Sequence, residues 1–127
     1  MTYKGCSYLS DIETTPSKQQ KRHLRIVVSN VNKDMECLVV TLVSKKYEWQ
    51  DSTCVLNVGD HPFIKHPSVI DYKICQKVNV VKILNGVQKR LFLRMEDVAP
   101  DVLKRIQDGV KESEYSPGFC EDFYDFF

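Results

Sequence analysis

The run ECLVVTLVS, residues 36–44, decides the fold. It is nearly continuous in apolar and β-branched residues, so it reads as a strand buried on both faces, the centre of a sheet. Before it, SNVNKD at 29–34 supplies residues that tolerate tight bends. Before that, HLRIVVS at 23–29 alternates, with Leu24, Ile26 and Val28 on one face and His23, Arg25 and Val27 on the other. That is a half-buried strand, and the two strands make a hairpin.

Further out, YKGCSYL at 3–9 reads as a first short strand. The stretch SDIETTPSKQQKR at 10–22 is polar, holds Pro16 and has no hydrophobic period. It reads as a long loop that ends in a basic knot of Lys21, Arg22, His23 and Arg25. On the other side, KKYEWQDST at 45–53 is a loop or an edge strand. Its Tyr47 and Trp49 either pack on the sheet, as large aromatic rings usually do, or offer a stacking face to a base. CVLN at 54–57, VIDYKICQ at 69–76 and KVNVVKI at 77–83 are strand-like. Asn85-Gly86 signals a hairpin into a final strand, RLFL, at 90–93.

One helix is expected, at 100–111. Pro100 suits its first position, and Val102, Leu103, Ile106 and Val110 form one stripe. Asp101 near its start and Lys104, Arg105 and Lys111 later suit the dipole, while Gly109 weakens the last turn. The expected fold is mainly β with a C-terminal helix. Five to seven strands curl into a small barrel or half-barrel over residues 1–112, and the helix covers one open side. The remainder, 113–127, is an acidic-aromatic tail with no period to place it in a core. It is read as a segment that folds back on its own domain or docks into a groove.

A chain of 127 residues with 43% apolar composition suits one globular domain. No run approaches the roughly twenty apolar residues that cross a bilayer. MTYKGCSYLSDIE lacks the apolar middle of a secretory signal, so a soluble cytoplasmic protein is expected. The five cysteines include no CxxC pair and read as reduced thiols. With so few clustered ligands, neither metal nor cofactor is expected. The net charge of +1 divides unevenly: residues 111–127 carry −4, so the body carries +5. A basic body with an acidic end fits a polyanion partner.

The candidate chemistry sits in GDHPFIKHPSVIDY, residues 59–72. Pro62 and Pro67 stiffen it, and it holds His61, Lys65, His66, Ser68 and Tyr72. Tyr72 shares a face with Ile70 and Ile74, so it reads as core as readily as a site residue.

The order of RHLRIVVSN, TLVS and PSVID before a C-terminal helix resembles the PemK/MazF family of small toxin ribonucleases. That family places a basic residue before an apolar strand ending in Ser, then a strand ending in a Thr-Ser-like pair, then a Ser-Val element. Here His23-Leu24 stands for the family's Arg-Pro and Val43-Ser44 for its Thr-Ser, and the DHPFIKH loop lies outside the pattern. The resemblance implies an SH3-like barrel, a metal-free endoribonuclease acting on single-stranded RNA, an inhibitory antitoxin-like protein partner and a homodimer.

Cleavage of this kind needs a base for the 2′-hydroxyl proton, cations for the phosphate and an acid for the leaving oxygen. The expectation is His23 and His66 as the acid–base pair, in either order, with Arg22 and Lys65 on phosphate. His61, Ser68, Tyr72 and Arg25 are the substrate-binding candidates. The alternative is a non-catalytic nucleic-acid-binding or protein-interaction barrel with a docking C-terminal tail.

Overall fold

The computed structural model describes residues 3–11 and 22–127. The polar loop expected before the second strand therefore falls mostly outside the described residues, as does Lys21. Seven strands form one antiparallel sheet: β1 (Ser7–Asp11), β2 (Arg22–Val27), β3 (Glu36–Ser44), β4 (Val55–Leu56), β5 (Ser68–Ile70), β6 (Gln76–Asn79) and β7 (Phe92–Met95). Helix α1 spans Val80–Gln88 and helix α2 spans Pro100–Glu112, with two 3-10 segments at Tyr72–Ile74 and Gly118–Phe126.

The sheet order is β4-β5-β3-β2-β1-β7, and β6 also pairs with β3. One edge of β3 meets β2, with Arg25 opposite Thr41 and Val27 opposite Val39. The other edge is shared: β6 takes residues 36–39 and β5 takes 42–44. The mainly-β expectation holds, but the sheet stays open and does not close into a barrel. Strands β4 and β7 stand at the two ends of the order and do not pair with each other, and β4 is only two residues long, too short for a closing ladder.

Both faces of β3 are covered, which explains its unbroken apolar run. Leu38, Val40 and Leu42 enter the larger core with Val102, Leu103, Ile106 and Val110 of α2. Cys37 and Val39 enter a smaller core with Tyr8 of β1 and Ile83 of α1. Each fully buried aliphatic side chain contributes roughly 1.5–3 kcal/mol, so the α2 stripe alone holds the helix firmly.

Three expectations change. The strand expected at 69–76 is interrupted: β5 ends at Ile70, and Tyr72–Ile74 form a 3-10 turn before β6 starts at Gln76. Residues 80–83 are helical rather than extended, because the Asn79 side chain accepts from Val81 N–H at 2.9 Å and caps a new helix. Asn85-Gly86 lies inside that helix rather than in a hairpin turn, because the Phe92 ring packs where a Gly86 side chain would be. The chain reverses later, at Arg90, which adopts φ 61° while Leu91 N–H reaches back to the Gly86 carbonyl at 2.9 Å.

The acidic-aromatic tail packs against its own domain. Cys120 and Phe123 are fully buried in the larger core, with Phe119, Tyr124 and Phe127 against it. The Phe126 carbonyl accepts from Asn30 N–H at 2.8 Å, and the Lys111 ammonium lies 5.2 Å from the Tyr124 ring centre.

Gly109 in α2 has a structural reason. A side chain there would overlap the Tyr72 hydroxyl, which donates to the Ile106 carbonyl at 2.9 Å. Alanine would gain about 1 kcal/mol of helix propensity but overpack a close contact at about 1–3 kcal/mol. Gly109→Ala is therefore expected to lower the urea midpoint, and Tyr72→Phe added to it to recover part of the loss. A midpoint raised by Gly109→Ala would contradict this packing.

Candidate functional site

A cleft of about 510 Å³ opens where the start of β2, the end of β3 and the start of β5 lie side by side. Its lining includes Arg22, His23, Ser44, Lys46, Lys65 and His66, with Ser68 and the apolar Leu42, Val43, Phe63 and Ile64. The antiparallel register causes the convergence. β2 begins where β3 ends, and Ser68 at the start of β5 pairs with Ser44 at the end of β3.

Each histidine is tied to the end of β3. His23, half-buried, has Nδ1 3.2 Å from the Leu42 carbonyl oxygen. A carbonyl only accepts, so Nδ1 carries the proton and the neutral ring keeps its lone pair on Nε2. His66, exposed, has Nε2 2.7 Å from the Ser44 hydroxyl. Its loop is pinned by Lys45 N–H donating to the Pro67 carbonyl at 3.0 Å, and by Ser68 Oγ donating to the His66 carbonyl at 3.0 Å.

Among the described residues, the charged side chains that line this cleft are all cationic. Arg22, Lys46 and Lys65 line it, and no aspartate or glutamate among the described residues does. The C-terminal carboxylates are not in its lining either, so they do not cover it.

Five of the eight residues singled out from sequence line this cleft: Arg22, His23, Lys65, His66 and Ser68. Three do not. His61 is buried at the other end of its loop, where Nδ1 accepts from Phe63 N–H at 3.0 Å and Nε2 meets the Glu96 carbonyl at 2.6 Å and Ser7 Oγ at 3.2 Å. Its whole hydrogen-bonding capacity is spent on holding that loop to the start of β1 and the segment after β7.

Tyr72 is fully buried, and burial pushes its phenol well above the ordinary range. Its face-sharing with Ile70 had already pointed to the core. Arg25 lies across the sheet, with Nε donating to Ser10 Oγ at 3.1 Å and one terminal nitrogen to Gln76 Oε1 at 2.9 Å. None of these three lines the cleft.

Leu42, Val43, Ser44, Lys46, Phe63 and Ile64 line the cleft without having been site candidates from sequence. Ser44 was visible there as the last residue of the buried run and, with Val43, in the place of the Thr-Ser pair of the PemK/MazF pattern. Its partnership with His66 depends on the β3–β5 register, which no local pattern displays.

No family model matches this chain, and no curated protein matches its sequence.

The two histidines of one loop differ in what their loss should cost. His61→Ala leaves Phe63 N–H without its partner and opens a cavity, while Ser7 Oγ keeps its bond to the Glu96 carbonyl at 2.6 Å; the expected loss is about 2–4 kcal/mol by urea denaturation. His66→Ala removes an exposed ring and should stay within about 0.5 kcal/mol. Equal costs would contradict these placements.

Proposed function

We propose that this chain is a metal-independent endoribonuclease of the PemK/MazF toxin type, cleaving single-stranded RNA at the cleft between β2, β3 and β5. On this reading the open sheet is a divergent SH3-like half-barrel, and an antitoxin-like protein restrains it as part of a homodimeric toxin. One observation carries the proposal: two imidazoles and three cations line a single cleft with no described carboxylate among them.

The roles follow from the hydrogen bonds. His23 is the base, because its Nδ1–H is held by the Leu42 carbonyl and its Nε2 keeps a lone pair. It takes the proton of a ribose 2′-hydroxyl as the 2′-oxygen attacks the adjacent phosphorus. The bond from phosphorus to the 5′-oxygen breaks, and the imidazolium of His66 gives its proton to that oxygen. The products are a 2′,3′-cyclic phosphate and a 5′-hydroxyl end. Arg22, Lys65 and Lys46 stabilise the charge on the non-bridging oxygens, Arg22 through its planar fork. Ser44 is a positioning residue that sets the angle of the His66 ring.

One contact suggests a second arrangement, in which Ser44 is itself a nucleophile activated by His66. A serine dyad needs a third group to orient the far ring nitrogen. Among the described residues none accepts from His66 Nδ1, and the cationic lining suits a phosphodiester better than a neutral acyl group. The non-catalytic binding reading remains the other outcome of the same experiment.

Purified protein incubated with single-stranded RNA in EDTA is expected to yield 2′,3′-cyclic phosphate ends. His23→Ala and His66→Ala are each expected to reduce the rate by about 10²–10⁴-fold. Binding should weaken steeply as salt rises, because cations on phosphate release counterions. Salt-sensitive binding without cleavage would leave a nucleic-acid-binding module. Cleavage untouched by both substitutions would remove these residues from the chemistry.

A further inference from the structure

Beside the histidine cleft, on the far side of Val43, lies a second recess of about 320 Å³. Its lining includes Val43, Trp49, Val69, Asp71, Lys73 and Tyr115. Val43 lines both hollows, so the two are neighbours along the end of β3. Trp49 is 72% exposed and Tyr47 55% exposed, against the expectation that these rings pack onto the sheet. They stack on each other instead, with ring centres 5.3 Å apart and planes 9° from parallel. Lys45 and Lys46 lead directly into this pair, and Lys46 also lines the histidine cleft.

An exposed indole is costly unless something covers it in use. The segment that carries it is held firmly. Gln50 accepts from Lys46 N–H at 2.6 Å and Tyr47 N–H at 2.7 Å, and donates to the Ser44 carbonyl at 3.0 Å. Asp51 then accepts from the Ser113 hydroxyl at 2.6 Å, at the end of α2. Burial works against the Asp51 carboxylate, yet the bonds from Ser113 and Thr53 outweigh it and keep its pKa below the ordinary value. The indole is thus presented on a preset platform rather than on a loose loop.

We propose that Trp49, backed by Tyr47, is a stacking shelf for one unpaired base of a single-stranded nucleic acid whose phosphate lies in the histidine cleft. This deepens the ribonuclease reading and rests on it. A base is the occupant that fits best. The shelf is flat and aromatic, which suits any π-face. Lys45 and Lys46 precede it and Lys73 stands in the recess, while Glu48 between the rings and Asp51 and Asp71 in the recess bring acids beside it, so the shelf meets the base and leaves the phosphate to the neighbouring cationic cleft. Asp71 and Lys73, in the wall of the recess, supply an acceptor and a donor for the base edge. Gln50 is a positioning residue, since it folds the segment that aims the indole.

Trp49 is the only tryptophan in the chain, so its fluorescence reports on the shelf alone. The test titrates the full chain carrying His66→Ala, which prevents turnover, with a short single-stranded RNA and with the same strand made abasic. The RNA should quench the tryptophan, and the abasic strand should bind with the same salt dependence but quench little. Trp49→Ala should weaken RNA binding on the order of tenfold, with Trp49→Phe restoring most of it.

Bound RNA that leaves the fluorescence unchanged would overturn the proposal, and so would equal quenching by the abasic strand. Quenching by a proline-rich peptide with RNA silent would hand the shelf to a protein partner and overturn it too. The underlying ribonuclease reading fails separately. It would show as quenching by RNA on a wild-type chain that never cleaves, whereas failure of the shelf shows as cleavage without quenching.

Discussion

Hydrogen bonding along both edges of β3 is the constraint on which the rest of the structure depends. One edge is taken by β2 and the other is divided between β6 and β5. Because each pairing is antiparallel, β2 and β5 both begin beside the point where β3 ends. The strand therefore works as a ruler. A one-residue slip on either side would turn every side chain to the opposite face and separate the residues that now meet. The two cores lock that register, since alternate residues of β3 are buried on opposite faces among different partners.

The cleft inherits its chemistry from this arrangement. Leu42 and Ser44, two residues apart on β3, each engage one histidine, the first through its carbonyl and the second through its hydroxyl. One imidazole is thereby held in a defined tautomer and the other in a defined orientation, without a buried carboxylate at either. Among the described residues the charged groups around them are cations, a field of the kind that favours a polyanion. The same strand end leads through Val43 to the recess beside Trp49. On the proposed reading, phosphate and base contacts would follow one another along this strand end, as a single-stranded substrate requires.

Much of this was legible before any coordinates. The β3 boundaries match the apolar run end to end, and the α2 stripe of Val102, Leu103, Ile106 and Val110 is buried as its spacing required. Five site candidates were recognisable from residue type and loop stiffness. Most of the failures were decided by a partner outside the local pattern. Asn85-Gly86 is a strong local turn signal, but the ring of Phe92 claims the space above Gly86 and the helix continues through it. His61 and His66 sit five residues apart in one loop, and nothing local says which faces inward. The Glu96 carbonyl decides it. Ser44 looked like the end of a strand until the register set it against Ser68 and His66. The tail lacked a periodic pattern because it packs as a 3-10 segment, where a few rings such as Phe123 carry the burial.

The central claim is that the end of β3 gathers two particular imidazoles around one phosphate. The chain has three histidines, so imidazole resonances can be followed individually by NMR while 2′-O-methyl RNA, which lacks the attacking hydroxyl, is added. The resonances of His23 and His66 should move together and saturate at the same RNA concentration, while that of His61 stays in place. If His23 and His66 stay still while RNA binds, or saturate at different concentrations, the two do not share a phosphate site and the account is wrong.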